Sequence, residues 1–269
     1  MTRQILSCVL ALAAGAASLM AQKQPQPKSQ KEVEAIQAMF SAPDPDSRIK
    51  AADDLIKKFA DTEFKAIALQ FAAASYQQKN DFEKMVTYAE LTLEADPKNY
   101  MSMLMLASGI AQRTREHDLD REEKLARSEK YAKTAMEVLK GAPKPNPQIT
   151  DEQWAGAVKD FMSQAHEALG LGAMARKKYD VAVTEFKAAV EGAAAPDPAA
   201  VVRLAQAYNL SGKPDDALAA VEKVNTMADV HPSIKQFAQA ERVRAMQAKG
   251  GAPKPPAAPP PPQIEVKKP

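Results

Sequence analysis

The chain has 269 residues with 36 Lys+Arg against 34 Asp+Glu, 10 Gly, 20 Pro and one Cys. Fifty-two residues are Ala and only 6 % are aromatic, which argues against an all-β fold and for helices packed through small side chains. One Cys excludes an intrachain disulfide framework and any multi-Cys metal site. A net charge of +2 gives no support for nucleic-acid binding.

Residues 1–21 read as an export signal. Arg3 is the only charge before an apolar run from Ile5 to Met20, about 24 Å as a helix and short of the about 30 Å of a hydrocarbon core. Small residues, Ala16, Ala17, Ser18 and Ala21, close it. This predicts an exported, periplasmic or envelope protein, the alternative being an uncleaved N-terminal anchor in the inner membrane; no membrane span is expected in the mature chain. Residues 22–30 are polar with two Pro and are expected to form a disordered linker. Residues 250–269 are Pro-rich and are expected to be a disordered tail, extended at about 3.1 Å per residue. The two ends carry the basic charge, so residues 31–249 have a net charge of −3.

Residues 31–62 read as a degenerate helix pair, with Ile49, Ala52, Leu55, Ile56 and Phe59 on one stripe. Then a pattern recurs. Leu69, Ala72, Ala73 and Tyr76 mark one helical face, a polar turn follows, and Phe82, Met85, Ala89 and Leu93 mark a second face ending at Asp96-Pro97. Ala73 and Ala107 stand 34 residues apart, and Gly170 and Ala205 stand 35 apart. The units are 66–99, 100–145, 151–196 and 198–231, within a repeat region 63–232. The second departs from the period: its second helix starts about nine residues late, after 113–123, and its exit 141–148 is long and Pro-rich. Thr150-Asp151-Glu152-Gln153 is a capping box, with Ile149 and Trp154 at staple spacing, so the helix from Asp151 begins at least a turn before the repeat frame. Residues 233–249 are expected to form a capping helix, apolar through Ile234, Phe237 and Ala238, with Gln, Glu and Arg outside.

At these residues the chain resembles the tetratricopeptide repeat family, as an exported bacterial type. The 34-residue period carries Leu69, Ala72-Ala73, Tyr76, Phe82, Ala89 and Pro97 in the first unit, Leu169-Gly170, Tyr179, Ala182, Phe186 and Ala189 in the third, and Leu204-Ala205, Tyr208, Gly212 and Ala217 in the fourth. The resemblance implies an all-α fold, a right-handed α-solenoid of helix-turn-helix repeats with disordered ends. It also implies a concave groove lined by the first helix of each unit. Carried over, the groove positions are Ile67, Gln70, Ala74, Gln77 and Gln78; Met101, Leu104, Ser108, Ala111 and Gln112; Gln164, Glu167, Leu171, Met174 and Ala175; and Ala199, Val202, Gln206, Asn209 and Leu210. Members that clamp a C-terminal carboxylate use Lys and Asn at two of these positions; no such pair occurs here, so a carboxylate clamp is not expected.

No catalytic constellation is found, and no enzyme activity, cofactor or metal is expected. His117, His166 and His231 form no ligand spacing, and the acidic run Glu116–Glu123 lacks the Gly and terminal Glu of a calcium loop. There is no phosphate-binding Gly loop, and no basic patch with interleaved aromatics. Two functions remain: a scaffold binding another protein or peptide in its groove, or a structural component of an envelope assembly that self-associates, with the tail as spacer. Exposed apolar groove residues favour the first, and an exposed apolar edge at a terminal repeat favours the second. Oligomeric state is not legible.

Overall fold

The computed structural model describes residues 25–250; residues 1–21, read as an export signal, the first three residues of the expected linker and all but the first residue of the Pro-rich tail lie outside them. Among the described residues there are eleven α-helices and no strand. They are α1 (Gln30–Phe40), α2 (Pro45–Lys58), α3 (Lys65–Gln78), α4 (Phe82–Ala95), α5 (Tyr100–Arg113), α6 (Arg121–Lys140), α7 (Asp151–Ala175), α8 (Tyr179–Gly192), α9 (Pro198–Leu210), α10 (Pro214–Thr226) and α11 (Pro232–Lys249).

Each helix packs on the next in sequence, and α5 also packs on α7 and α9 on α11. This nearest-neighbour pattern defines an α-solenoid, in which one helix pair buries its apolar face only against another. Three apolar clusters follow one another along the chain. Met39, Leu55, Ala73, Met85 and Leu106 belong to the first. Met103, Leu104, Ala132, Ala165 and Ala168 form the second. Ala182, Phe186, Val201, Val221 and Ala238 belong to the third. The small residues at the recurring position let paired helices approach closely: Ala73, Ala107 and Ala205 are fully buried, and Gly170 lies directly against the ring of Phe186.

The repeat is also written in the backbone of its turns. Asn80, Lys177 and Gly212, each just after a first helix, adopt positive φ of 58°, 59° and 77°. In each turn the next amide reaches back five residues, Asp81 to Tyr76, Lys178 to Ala173 and Lys213 to Tyr208, all at 2.9 Å. This is the left-handed helix stop that satisfies the last carbonyls. Gly212 and Asn80 are residues that tolerate it; Lys177 is not. The second unit leaves α5 differently, through Thr114 in an extended conformation. Its helix α6 begins at Arg121, inside the stretch 113–123 read as an interhelical insertion.

Two features depart from a regular array. The first is α7, whose 25 residues span about 37 Å, against 14 residues in α3 and α5 and 13 in α9. Its capping box is formed as read, with Thr150 and Gln153 bonding each other's backbone amides. Tyr100, at the start of α5, meets Phe161 at a ring distance of 5.2 Å, so the residues before Phe161 run past the start of α5 as a spur. The spur is braced by Trp154 Nε1 donating to the Ala142 carbonyl at 3.3 Å, by Lys144 on Asp151 at 2.7 Å and by the Ala194 and Ala195 amides donating to Asp160 at 2.8 and 3.3 Å.

The second departure lies in residues 26–30 of the expected linker 22–30, which are ordered against the body, while residues 22–24 lie outside the described residues. Ser29 is the N-cap of α1, and residues 26–28 are fastened to the α2–α3 connection. The Lys28 ammonium pairs with Asp61 at 2.7 Å. Glu32 is buried; its carboxylate accepts from the Lys28 amide and from the Thr62 hydroxyl, both at 2.6 Å.

Candidate partner-binding face

The first helices α1, α3, α5, α7, α9 and α11 supply the face on which the resemblance places a groove. Its N-terminal half is apolar and open. Met101, the second residue of α5, is 41 % exposed. Beside it, Gln70 donates its amide to the Met101 sulfur at 3.3 Å and accepts from the Asn99 side chain at 2.8 Å. Asn99 simultaneously caps α5 through its Oδ1, so the helix start and the groove polar group are fixed together. Ile67 and Ala74 are half-buried, Ile67 packing on the first cluster. Gln77 and Gln112 are exposed on the rim of a small cleft of ≈ 80 Å³, walled by Asn80, Phe82 and Arg113. Arg113 donates to Asn80 at 2.6 Å and covers the Phe82 ring at 5.2 Å.

Two residues of this face escape the sequence reading. Phe40, the last residue of α1, is 50 % exposed and stands edge-on to Phe71 of α3 at a centroid distance of 5.0 Å. The signal was present as two aromatics on consecutive first helices, but Phe40 lies in the degenerate pair and Phe71 follows a carried-over position without being one.

Other expected positions are not available to a ligand. Leu104 is only 3 % exposed, because the overlong α7 runs alongside α5 and seals it among Phe161, Ala165 and Leu169. Ala111 and Val202 are buried as well, Val202 in the third cluster. Ser108 remains half-buried. In the C-terminal half the polar groups are committed to each other. Glu167 accepts from Arg203, whose guanidinium burial holds below its ordinary value. Asn209 donates to both the backbone carbonyl and the carboxylate of Glu241 at 2.9 Å, tying α9 to α11. Burial raises the Glu241 carboxyl above its ordinary range against the hydrogen bonds from Asn209 and Arg244. Gln164 is exposed, while Leu171 and Gln206 are half-buried, Leu171 against the third cluster.

The capping helix is rotated from its expected setting. Ala238, Glu241 and Ala245 are buried, and Phe237 and Val243 are exposed. Glu241 thus lies inside where a Glu was placed outside.

Among the described residues no group of three or more His, Cys, Asp or Glu could hold a metal ion. His166 bonds Glu185 at 2.8 Å, and His231 caps α11. The acidic run 116–123 is an ion-paired turn, with Glu116 on Lys177 at 2.6 Å and Glu122 on Arg176 at 2.9 Å. A larger cleft, ≈ 220 Å³, opens between α6, α7 and α8 over Leu125, Ala168 and Gly172, with Glu129, Lys133 and Lys178 at its margin.

No protein-family model matches the chain, and no curated protein matches it. Solved structures do. A thermophilic tetratricopeptide repeat protein from Thermus thermophilus is similar over 80 % of this chain and 98 % of its own, at 16 % identity and a TM-score of 0.53. A tetratricopeptide repeat protein from Parabacteroides merdae, at 16 % identity, covers 82 % of this chain and 93 % of its own with a TM-score of 0.42. An assembly chaperone of RpL4, at 11 % identity, covers 82 % and 98 % with a TM-score of 0.45. The first likeness, with the helix pairs and their recurring turns, assigns the fold: an all-α solenoid of the tetratricopeptide repeat type.

Proposed function

We propose that this protein is a non-enzymatic, exported scaffold that binds a peptide or partner segment across the N-terminal half of its first-helix face. The observation that carries the reading is the run of solvent-facing apolar side chains there, Phe40 edge-on to Phe71 and then Met101, joined by Gln70, whose amide reaches the Met101 sulfur. Met adapts to irregular partners, and aromatic anchors contribute most of the energy of small interfaces. The C-terminal half, with its groups already paired across Glu167–Arg203 and Asn209–Glu241, has less to offer. Among the described residues no helix is long and apolar enough to cross a membrane. Export rests on residues 1–21, with an inner-membrane anchor as the alternative, and is tested by fusing residues 1–30 to a reporter active only outside the cytoplasm.

Peptides selected from a displayed random library against the full chain should carry aromatic or aliphatic anchors. Phe40→Glu combined with Met101→Glu should abolish their capture without changing the helical spectrum. Both side chains are partly solvated, so the variant should fold. Capture retained by the double variant would discard this face.

A further inference from the structure

The last helix, α11, has an outer side that no other described element covers. It packs on α9 and α10 through Ile234, Ala238, Glu241 and Ala245. About a quarter-turn round the helix from these, Lys235, Gln239, Arg242, Met246 and Lys249 recur at spacings of four, three, four and three, which is one stripe flanking the packed side. Met246, on that stripe, is 52 % exposed, and Val243, further round on the side away from the packed face, is 43 % exposed. Lys249 is paired with Asp215. Lys235 and Arg242 have no acidic partner among the described residues.

The charge of the chain is divided accordingly. Lys235, Arg242, Arg244 and Lys249 against Glu241 give α11 a net charge of +3. The residues beyond it add +2, from Lys254, Lys267 and Lys268 against Glu265, whereas residues 31–231 carry −6. Positive charge is thus in excess on α11 and the residues after it, as it also is in residues 1–30, while the body between them is acidic.

We infer that this outer side of α11 docks the solenoid on an anionic lipid bilayer. A single helix standing at the end of an array is a convex ridge, suited to a planar surface and not to wrapping a peptide. A second copy placed on the same ridge would bring Lys235 and Arg242 against their own counterparts, which repel. Headgroup phosphates instead accept from Lys235 and Arg242, while Val243 and Met246 enter the boundary between headgroups and acyl chains. Of the four cations of α11, Arg244 is held by Glu241 and Lys249 by Asp215, which leaves Lys235 and Arg242 to supply attraction within a screening length of the surface. Such binding is peripheral and reversible.

The test uses the full chain with Cys8→Ser and Met246→Cys, labelled at position 246 with an environment-sensitive fluorophore. Vesicles of phosphatidylglycerol and phosphatidylcholine should shift the emission to the blue, and vesicles of phosphatidylcholine alone should not. Each cation near an anionic leaflet is worth about a factor of five in affinity, so Lys235→Glu with Arg242→Glu should weaken vesicle binding at least about 25-fold. The helical spectrum should be unchanged by that pair, and the apolar run 5–20 is common to all variants. Phe40→Glu with Met101→Glu should leave the response intact, which separates this inference from the proposed function. It is overturned by no shift on anionic vesicles, by an equal shift on neutral ones, by an undiminished response of the charge-reversed variant, or by a shift that grows with protein concentration without lipid, the mark of a second copy on the ridge.

Discussion

Two glycines of the same helix should respond to alanine in opposite directions. At Gly170 an added Cβ would lie 2.6, 2.7 and 3.0 Å from three carbons of the Phe186 ring. That ring is fully buried, so either it or the α7–α8 spacing must shift. Overpacking of this kind costs about 1–3 kcal/mol. Replacing a helical Gly by Ala returns about 1 kcal/mol of backbone entropy, leaving Gly170→Ala destabilised by about 0–2 kcal/mol. At Gly156, on the spur, the same Cβ meets nothing closer than the Ala194 Cβ at 3.9 Å, an ordinary contact. Gly156→Ala should therefore gain the propensity term alone, about 1 kcal/mol. In a chain of this size each kcal/mol moves the melting temperature by about 2–4 °C, so thermal melts followed by circular dichroism will separate the two variants. Phe186→Leu should relieve part of the loss in a Gly170→Ala background, although it costs stability alone. Equal stabilisation by both alanines would show that α7 and α8 do not approach as described.

The buried Glu32 makes a second case. Thr62→Val removes the hydroxyl that donates to its carboxylate at 2.6 Å and that accepts from the Phe64 amide at 3.1 Å. Urea unfolding should report a loss of about 1–3 kcal/mol, since the groups left behind are desolvated; an unchanged midpoint would mean that water replaces the hydroxyl. Glu241 yields a pH dependence of definite sign. Its carboxyl is raised in the folded protein, so the folded state binds the proton more tightly than the unfolded chain. Its contribution to stability therefore grows as pH falls from neutrality through the folded value towards the ordinary carboxyl value of about 4.3. Glu241→Gln keeps an acceptor for Asn209 and removes the buried charge, so its advantage over wild type should be greatest at neutral pH and shrink on acidification. An advantage that widens as the pH is lowered would reverse the assignment.

The period of the sequence was legible because it is enforced by packing: Ala73, Ala107, Gly170 and Ala205 are small where a neighbouring helix lies on them. The start of α7 was legible because Thr150 and Gln153 are a local device that needs no tertiary context. The groove was harder. Positions carried over by period assume first helices of equal length, and α7 is not of equal length. Leu104 is sealed by Phe161, which precedes the repeat frame, together with Ala165 and Leu169 within it. Phe40 and Phe71 are a contact between units that share no residue pattern, so no single unit displays it. The rotation of α11 has a different origin. Counting apolar residues placed Phe237 inside, but the helix settles with Ala238, Glu241 and Ala245 against its neighbours, where Asn209 and Arg244 satisfy the Glu241 carboxylate. The strap 26–28 was read as a linker because its composition is polar, whereas its order comes from the charges of Asp61 and the buried Glu32.

The odd number of helices among the described residues has a consequence for assembly. Among the described residues the array opens on a first helix, α1, and closes on another, α11. A copy added at that end by simple continuation of the superhelix would set a first helix directly on a first helix, with the alternation missing one member. Head-to-tail contacts that fail to close on themselves grow into filaments when each junction repeats the internal one. A junction built from the described residues alone would not repeat the internal one, so growth by simple continuation is not expected of them, and light scattering that shows no filaments is the outcome this register predicts.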